Sequence, residues 1–426
     1  MIYLNNIKFE NGGRRIVYDY KYDSNLGKYF NKSEQFYVEY DIDVQSIPSS
    51  IAAIPFLANF APISWFVGCS ISIEEADQDF IDALESIKNV FIAEYPHIGL
   101  NQSKICFKRQ VKNNYAANNS GTLFSGGVDA YSTYFSHVAE TPDLITIKGA
   151  DVDITNSTIW ERIKLLNEHE VLLSGNQKLY ITSNLRTFYT HNVDLLLKGI
   201  NWWSKVQHGL ALTALLAPLS AIRGYSTIYI ASSYTENADF FWGSSPQIDN
   251  KVKWGNTKIV HDGYQLRRQD KVDLIVKATE ALNKSIILRV CYALSESNQR
   301  VNCSKCEKCY RTILGLILSG ANPNDYGFDT SAHVYDEIET MFKNGFSSEG
   351  VKYFWGELLH KMTNSNAFYY FADKNSEQTT LLKIKQLFQN NINKDIKKKS
   401  RWDVFKYKLQ NSFPTLFKAY LKFRQT

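Results

Sequence analysis

The sequence predicts an α/β fold built on a parallel sheet, with an N-terminal α+β module and a helical C-terminal extension. Three observations carry that prediction. From residue 120 onward, short apolar runs alternate with longer stretches of helical periodicity, the pattern of strands joined by crossover helices. The first of these runs turns on Ser125-Gly126-Gly127 and passes directly into a helical pattern. Four cysteines at metal-ligand spacing close the same region, where they would pin its last strand to the following helix.

Composition sets the outer bounds. The chain has 426 residues, enough for two or three domains. With 44% hydrophobic and 21% charged residues it reads as an ordinary globular protein. The sequence opens without a charged-then-apolar leader and holds no apolar run near the ~18 residues of a membrane span, so a cytoplasmic location is expected. In that compartment the six cysteines read as thiols or metal ligands rather than disulfides.

Residues 1–115 are expected to form an accessory module of their own. Phe36–Val44 partly alternates and predicts a strand, while Ile51–Phe60 and Ile63–Val67 are apolar enough to be buried. Phe80, Leu84, Ile87, Val90 and Phe91 recur at helical spacing and should cover a sheet. Cys69 and Cys106 stand far from the other cysteines and read as small core residues. The polar run Lys112–Asn119 is the expected linker.

Residues 116–325 carry the predicted parallel sheet. Strands are expected at 121–124, 144–148, 179–182, 227–231 and 286–290, with helices near 128–139, 156–171, 204–222 and 270–282. Ligands of such sheets sit beyond the C-terminal strand ends. Ser125, Lys148–Asp151, Ser183-Asn184 and Ser232–Tyr234 all fall there. Val128, Tyr131, Phe135 and Val138 share one helical face starting at the Gly-Gly turn. Adjacent glycines let the backbone approach a ligand, and the amides of a helix N-terminus face an anion, so this turn is suited to phosphate.

Three further stretches are candidates for substrate contact. Trp202-Trp203 precedes Gln207-His208-Gly209, which opens an apolar helix; His208 suits either a core position or a site. The loop Phe241–Asp249 places Ser245 and Asp249 among aromatics, which could enclose a planar substrate or pack on one another. His261-Asp262-Gly263 follows, and then Arg267-Arg268-Gln269-Asp270-Lys271 at a helix start. Cys291, Cys303, Cys306 and Cys309 have a C-x2-C-x2-C run with a fourth thiol upstream, which suits tetrahedral Zn2+ or an iron–sulfur cluster.

The run Thr122–Ala130 resembles the SGG-x-D-S loop of the PP-loop ATP pyrophosphatases. Together with Lys271–Ile275 and the cysteine motif, it resembles the 7-cyano-7-deazaguanine synthase family of queuosine biosynthesis over roughly residues 120–318. Ala130 stands where that family has Ser, the gap after Cys291 is longer, and the two flanking regions are additional. The resemblance implies a Rossmann-like sheet of the adenine nucleotide alpha hydrolase type and a diverged, enlarged relative, of a kind found in bacterial defence or modification clusters. It implies adenylation of a carboxylate or amide with ATP, release of AMP and pyrophosphate, and formation of an amide, a nitrile or a related conjugate. By the same resemblance Ser125, Gly126, Gly127, Val128, Asp129, Lys148 and Ser232 would hold ATP, and Asp129 and Lys271 would act in catalysis, with Asp129 orienting Mg2+. His208, Ser245, Asp249 and His261 are the candidates on the substrate side, and the four cysteines the ligands of a structural Zn2+.

Residues 326–426 read as helical. Tyr353, Phe354, Leu358, Leu359 and Met362 suggest one buried face, and Phe368–Phe371 an aromatic patch. From Lys394 the tail carries ten Lys or Arg against Asp395 and Asp403, a charge of +8; the whole chain carries +5, leaving −3 for the rest. Interleaved aromatics make the tail a candidate for nucleic acid or an anionic surface, or else a solvated helix on the body. Two function classes follow. One is an ATP-dependent carbon–nitrogen ligase acting on a small-molecule or protein-terminus carboxylate, with a homo-oligomer compatible. The other is a nucleotide-binding module that has lost catalytic power and recruits nucleic acid or a partner through its tail. Sulfur transfer to tRNA, another PP-loop chemistry, would want a catalytic cysteine at the ATP site, and none is clearly placed there.

Overall fold

The computed structural model describes residues 1–96, 98–197, 201–291, 301–343, 349–360, 362, 367–371 and 373–391, with 405, 407–409 and 413 beyond them. Five strands come from the first part of the chain: β1 (Ile2–Glu10), β2 (Arg15–Tyr22), β3 (Tyr37–Tyr40), β4 (Ile71–Asp77) and β5 (Ile105–Val111). Six follow: β6 (Asn119–Leu123), β7 (Asp143–Lys148), β8 (Lys178–Ser183), β9 (Tyr225–Ala231), β10 (Lys253–Trp254) and β11 (Thr257–Asp262). All eleven lie in one mostly parallel sheet, ordered β10-β11-β9-β6-β7-β8-β3-β2-β1-β4-β5.

The run β11-β9-β6-β7-β8 is parallel throughout. Its strand order turns around between β6 and β9, because the chain leaves β6 for β7 on one side and returns to β9 on the other. At such a point the connections depart to opposite sides and open a crevice beyond the strand ends. Strand β7 is buried at every position, as expected for a central strand covered on both faces.

The sheet continues through the 115/116 boundary. Strand β3 pairs antiparallel with β8, Val38 facing Ser183 and Tyr40 facing Ile181. A single apolar core runs from Ile2 to Ile259, with the helix Ile54–Val67 buried in it along nearly its whole length. The polar run before β6 is tied in as well: the Asn113 amide donates to Ser50 Oγ at 2.9 Å and to Asp77 Oδ2 at 2.8 Å. Asp77 also caps the helix Gln78–Glu94 by accepting from the Phe80 amide at 2.9 Å, which satisfies a donor the helix cannot.

A second core forms where the later helices pack beside the sheet. It joins Val128 and Tyr131 of the helix Val128–Ser136 to Ile275 of Arg268–Ala281 and Ile313 of Glu307–Leu318. Trp355 of Glu349–His360 and Leu381 of Lys374–Asn391 complete it. The described part of the C-terminal extension, up to residue 391, is helical and packed, with Leu358 and Leu359 on its buried face. No helix among the described residues is long and apolar enough to cross a membrane.

Several elements differ from the sequence reading. Ile286–Val290 is not a strand; the fifth parallel position is taken by β11. Ile286, Leu288 and Val290 are buried alternately, as in a strand, but their backbone bonds run to loops. The Leu288 amide donates to Tyr326 O at 3.2 Å and the Arg289 amide to Gly126 O at 2.7 Å. Alternation reports a half-buried extended backbone and says nothing of its hydrogen-bond partner. The expected helix over 204–222 is a π-turn at Trp203–Gln207 followed by His208–Ala214 and Ala217–Arg223, Pro218 lying in the first turn of the last. Cys106 is exposed on the outermost strand β5 and so is not a core residue, whereas Cys69 is half-buried and packs against the first core. The tail from Lys394 lies outside the described residues except for the few positions given above.

Candidate functional site

The turn after β6 is built as its sequence suggests. Gly126 has φ of 72°, a left-handed conformation that costs a side-chain-bearing residue ~1–2 kcal/mol. Gly127 is the N-cap of the helix Val128–Ser136, whose first amides therefore face outward from the turn. A cleft of about 320 Å³ opens here, between the ends of β6, β7 and β9, with Ser125, Asp129 and Ala130 in its wall. It adjoins a second cavity of about 270 Å³ lined by Ser125, Gly127 and Val128.

The two cavities share Ser125, Asp129, Asp151, Arg268, Arg289 and Lys308, and Arg186 and Arg311 extend the cationic wall. Five cations thus face two carboxylates. Asp129 is engaged by one of these cations and by a sixth behind the wall: Arg268 Nη1 lies 3.3 Å from Oδ2 and Lys271 Nζ 3.2 Å from Oδ1. Burial by itself would raise the Asp129 carboxyl, but Lys271, Arg268 and Lys308 outweigh it and hold the group below its usual range. Burial holds the Lys308 ammonium below its ordinary range, with the Arg268 charge adding to the effect. Burial likewise lowers Arg289. Cations destabilised in this way gain free energy from an arriving anion.

The other end of the cleft is apolar and aromatic. Ile145 and Ile147 of β7 face Trp203, His208 and Trp242. Tyr234 stacks on Phe354 with centroids 4.9 Å apart, and the Arg311 guanidinium lies 4.1 Å over the Phe354 ring. Two buried polar atoms in this wall, His208 Nδ1 and Trp242 Nε1, have no hydrogen-bond partner among the described residues. Burial, foremost, lowers the His208 imidazole, which favours its neutral form. Such atoms cost free energy unless a ligand or water meets them.

The remaining expected residues fall outside the cleft wall. Lys271, 2% exposed, is tied to Asp129 and to the Ser232 carbonyl, so it joins two strand-end loops. Ser232 donates through Oγ to the Tyr234 carbonyl, leaving Ser233 and Tyr234 to line the cleft. Lys148 ends β7 and lines neither cavity. Asp249 and His261 form a buried pair, Oδ2 to Nδ1 2.7 Å, and Ser244 Oγ donates to the same oxygen at 2.7 Å. Gly209 makes room for them, since a Cβ there would stand 2.0 Å from Asp249 Oδ1. Ser245 Oγ is buried beside this pair in sequence and has no partner among the described residues.

Asp151 lies at a strand end where the ligand was expected, but Arg186, Arg289, Lys308, Arg311 and Phe354 were not among the expected site residues. A signal existed for two of them: Arg289 stands two positions before Cys291, and Lys308 directly before Cys309.

The four cysteine sulfurs all lie within 4.8 Å of one another. Cys291–Cys306 and Cys303–Cys309 are 3.9 Å apart and Cys306–Cys309 3.5 Å. A tetrahedron with metal–sulfur bonds of about 2.3 Å has edges of ~3.8 Å, so the group could hold a single metal ion such as zinc. Ser304, at φ 57°, makes the bend between Cys303 and Cys306. The Cys303 amide donates to Cys291 Sγ at 3.4 Å, and Cys306 caps the helix Glu307–Leu318. Its contact with Cys306, burial and the crowding of the other sulfurs push the Cys309 thiol far above its ordinary range. Bound metal removes that conflict by neutralising thiolates.

Protein-family models, curated proteins and solved structures were each compared with the chain, and none of the three comparisons gave a match.

Proposed function

We propose that the chain is an ATP-dependent carbon–nitrogen ligase of the PP-loop type, with a Rossmann-like nucleotide site, which adenylates a carboxylate or amide and releases AMP and pyrophosphate. The observation that carries this reading is the Ser125-Gly126-Gly127 turn at the reversal of strand order, opening onto a cleft that is apolar at one end and cationic at the other. A nucleoside triphosphate has the same division, with a planar apolar base and a polyanion.

In this reading the acceptor's carboxylate oxygen attacks the α-phosphorus, and the bond to the bridging oxygen of pyrophosphate breaks. Arg268, Arg289 and Lys308, with the amides of the turn, stabilise the negative charge gathering on that leaving group. An amine then displaces AMP from the acyl adenylate. Most of the acceleration comes from positioning and preorganised charge. Mg2+ would supply further positive charge to offset the polyphosphate. Asp129 is held by two cations, and Asp151, which lines both cavities and has no ion pair among the described residues, is the carboxylate open to it. The four-cysteine group would hold structural Zn2+, with no ligand position left for chemistry. Acceptors of this kind are deazapurine carboxylates or protein carboxyl termini.

The test is product analysis with ATP, ammonia and each class of acceptor carboxylate. AMP and pyrophosphate are expected, and Gly127→Val should abolish them, since a Cβ at 127 already meets the Arg289 carbonyl at 3.3 Å. ADP and phosphate as products would reject the reading. Nucleotide binding with no turnover for any acceptor would favour a binding module acting through its basic tail.

A further inference from the structure

The cationic wall of the cleft and the cysteine group are one construction. Arg289 is two residues from Cys291, and Lys308 lies between Cys306 and Cys309 on the helix Glu307–Leu318. The Arg289 amide donates to the Gly126 carbonyl at 2.7 Å, so the strand of chain leading to Cys291 is stitched to the turn itself. Its side chain runs over Gly126: a Cβ there would meet Arg289 Cβ at 3.5 Å and Nε at 3.8 Å. The adjoining Val290 amide donates to Asn302 Oδ1 at 3.0 Å, next to Cys303. The Arg289 guanidinium has neither a hydrogen bond nor an ion pair among the described residues, although it lines both cavities. A half-buried guanidinium left unpaired beside a Gly-Gly turn is a group waiting for an anion.

We propose that the four-cysteine group controls anion binding: metal held by Cys291, Cys303, Cys306 and Cys309 fixes Arg289 and Lys308 at the Ser125–Gly127 turn, so metal occupancy and polyphosphate affinity rise and fall together. The inference rests on the turn being a phosphate site, and adds a second site coupled to it. Without the metal, four clustered sulfurs have no common partner, and the two backbones that carry Arg289 and Lys308 lose a strong shared anchor. Coupling of this kind is reciprocal: polyphosphate must tighten metal binding by the same factor.

The experiment uses the full chain and inorganic pyrophosphate as the probe. Calorimetry on metal-loaded and chelator-treated protein should show affinity falling about 10- to 100-fold on metal removal, the effect of losing one or two charged hydrogen bonds. Pyrophosphate should slow metal release to a chromophoric chelator. Because the stripped protein can lose its fold, the variant Arg289→Met is read alongside: it should keep one metal per chain, bind pyrophosphate weakly, and no longer protect the metal. Equal pyrophosphate affinity with and without metal, or full affinity and protection in Arg289→Met, would overturn the coupling and leave the phosphate site standing. No pyrophosphate binding by the metal-loaded wild type would overturn both.

Discussion

Replacing Asp129 tests how the site is held together. Its carboxylate bridges Arg268 at 3.3 Å and Lys271 at 3.2 Å, and the side chains of these two cations are only 7% and 2% exposed. Asp129→Ala therefore strands two buried positive charges and removes the ionic link between the helix Val128–Ser136 and the helix Arg268–Ala281, leaving their apolar contacts. Breaking a buried pair costs ~3–5 kcal/mol. Asp129 itself keeps 24% exposure, which lets water screen the loss, so about 3 kcal/mol is expected. Denaturant unfolding of both proteins at pH 7 gives the comparison. The double variant Asp129→Ala, Lys271→Met should recover part of the loss, because it removes one stranded charge. The sign with pH follows from the depressed carboxyl: its contribution is present above the unfolded value near ~3.9 and is lost as pH falls through the folded one. The gap between wild type and Asp129→Ala should close in acid. An Asp129→Ala protein as stable as wild type at pH 7 would refute the reasoning.

Other expectations follow from other parts of the chain. Metal analysis should find one ion per chain, and Cys306→Ser should release it with loss of soluble protein, since structural zinc binds with ~10 kcal/mol or more; protein free of both zinc and iron would refute this. His137 lies between Asp262 at 3.0 Å and Glu140 at 2.9 Å; burial works against its charge, but these carboxylates outweigh it and raise the imidazole. Its stabilisation is present below the unfolded value of ~6.5 and lost as pH rises through the folded one, so wild type should lose its advantage over His137→Gln as the pH is raised from ~6.5 through the folded value. Removing residues 394–426, with their charge of +8, should abolish binding to a polyanion such as a nucleic acid while sparing ATP binding. Binding by the full chain should weaken steeply with salt, and identical behaviour of both proteins would make the tail a packing element.

What was legible in the sequence is what local chemistry dictates. Cysteines spaced C-x2-C-x2-C bend around one point, and the structure gathers Cys303, Cys306 and Cys309 with Cys291 as that spacing requires. The Gly-Gly turn, four of the five parallel strands and the helices Ser157–His169 and Arg268–Ala281 also follow from periodicity and backbone freedom within a few residues. Pairing is a different matter. Ile286–Val290 and Thr257–Asp262 both have strand-like patterns, and only the packed sheet decides that β11 hydrogen-bonds to β9 while the other stitches loops together. In the same way, β3 extends the sheet from β8 across more than a hundred residues of chain, a partnership no local pattern encodes. The site was split along the same line. Ser125 and Gly127 could be read from their turn, but Arg186, Arg268, Arg289, Lys308 and Arg311 are ordinary surface-type residues in sequence. They become one cationic wall because four separate stretches converge on two adjoining cavities, where low dielectric makes each charge felt by the others. Asp249 and His261 show the converse: two residues with site chemistry bind each other at 2.7 Å inside the core, a contact that distance along the chain conceals and tertiary packing creates.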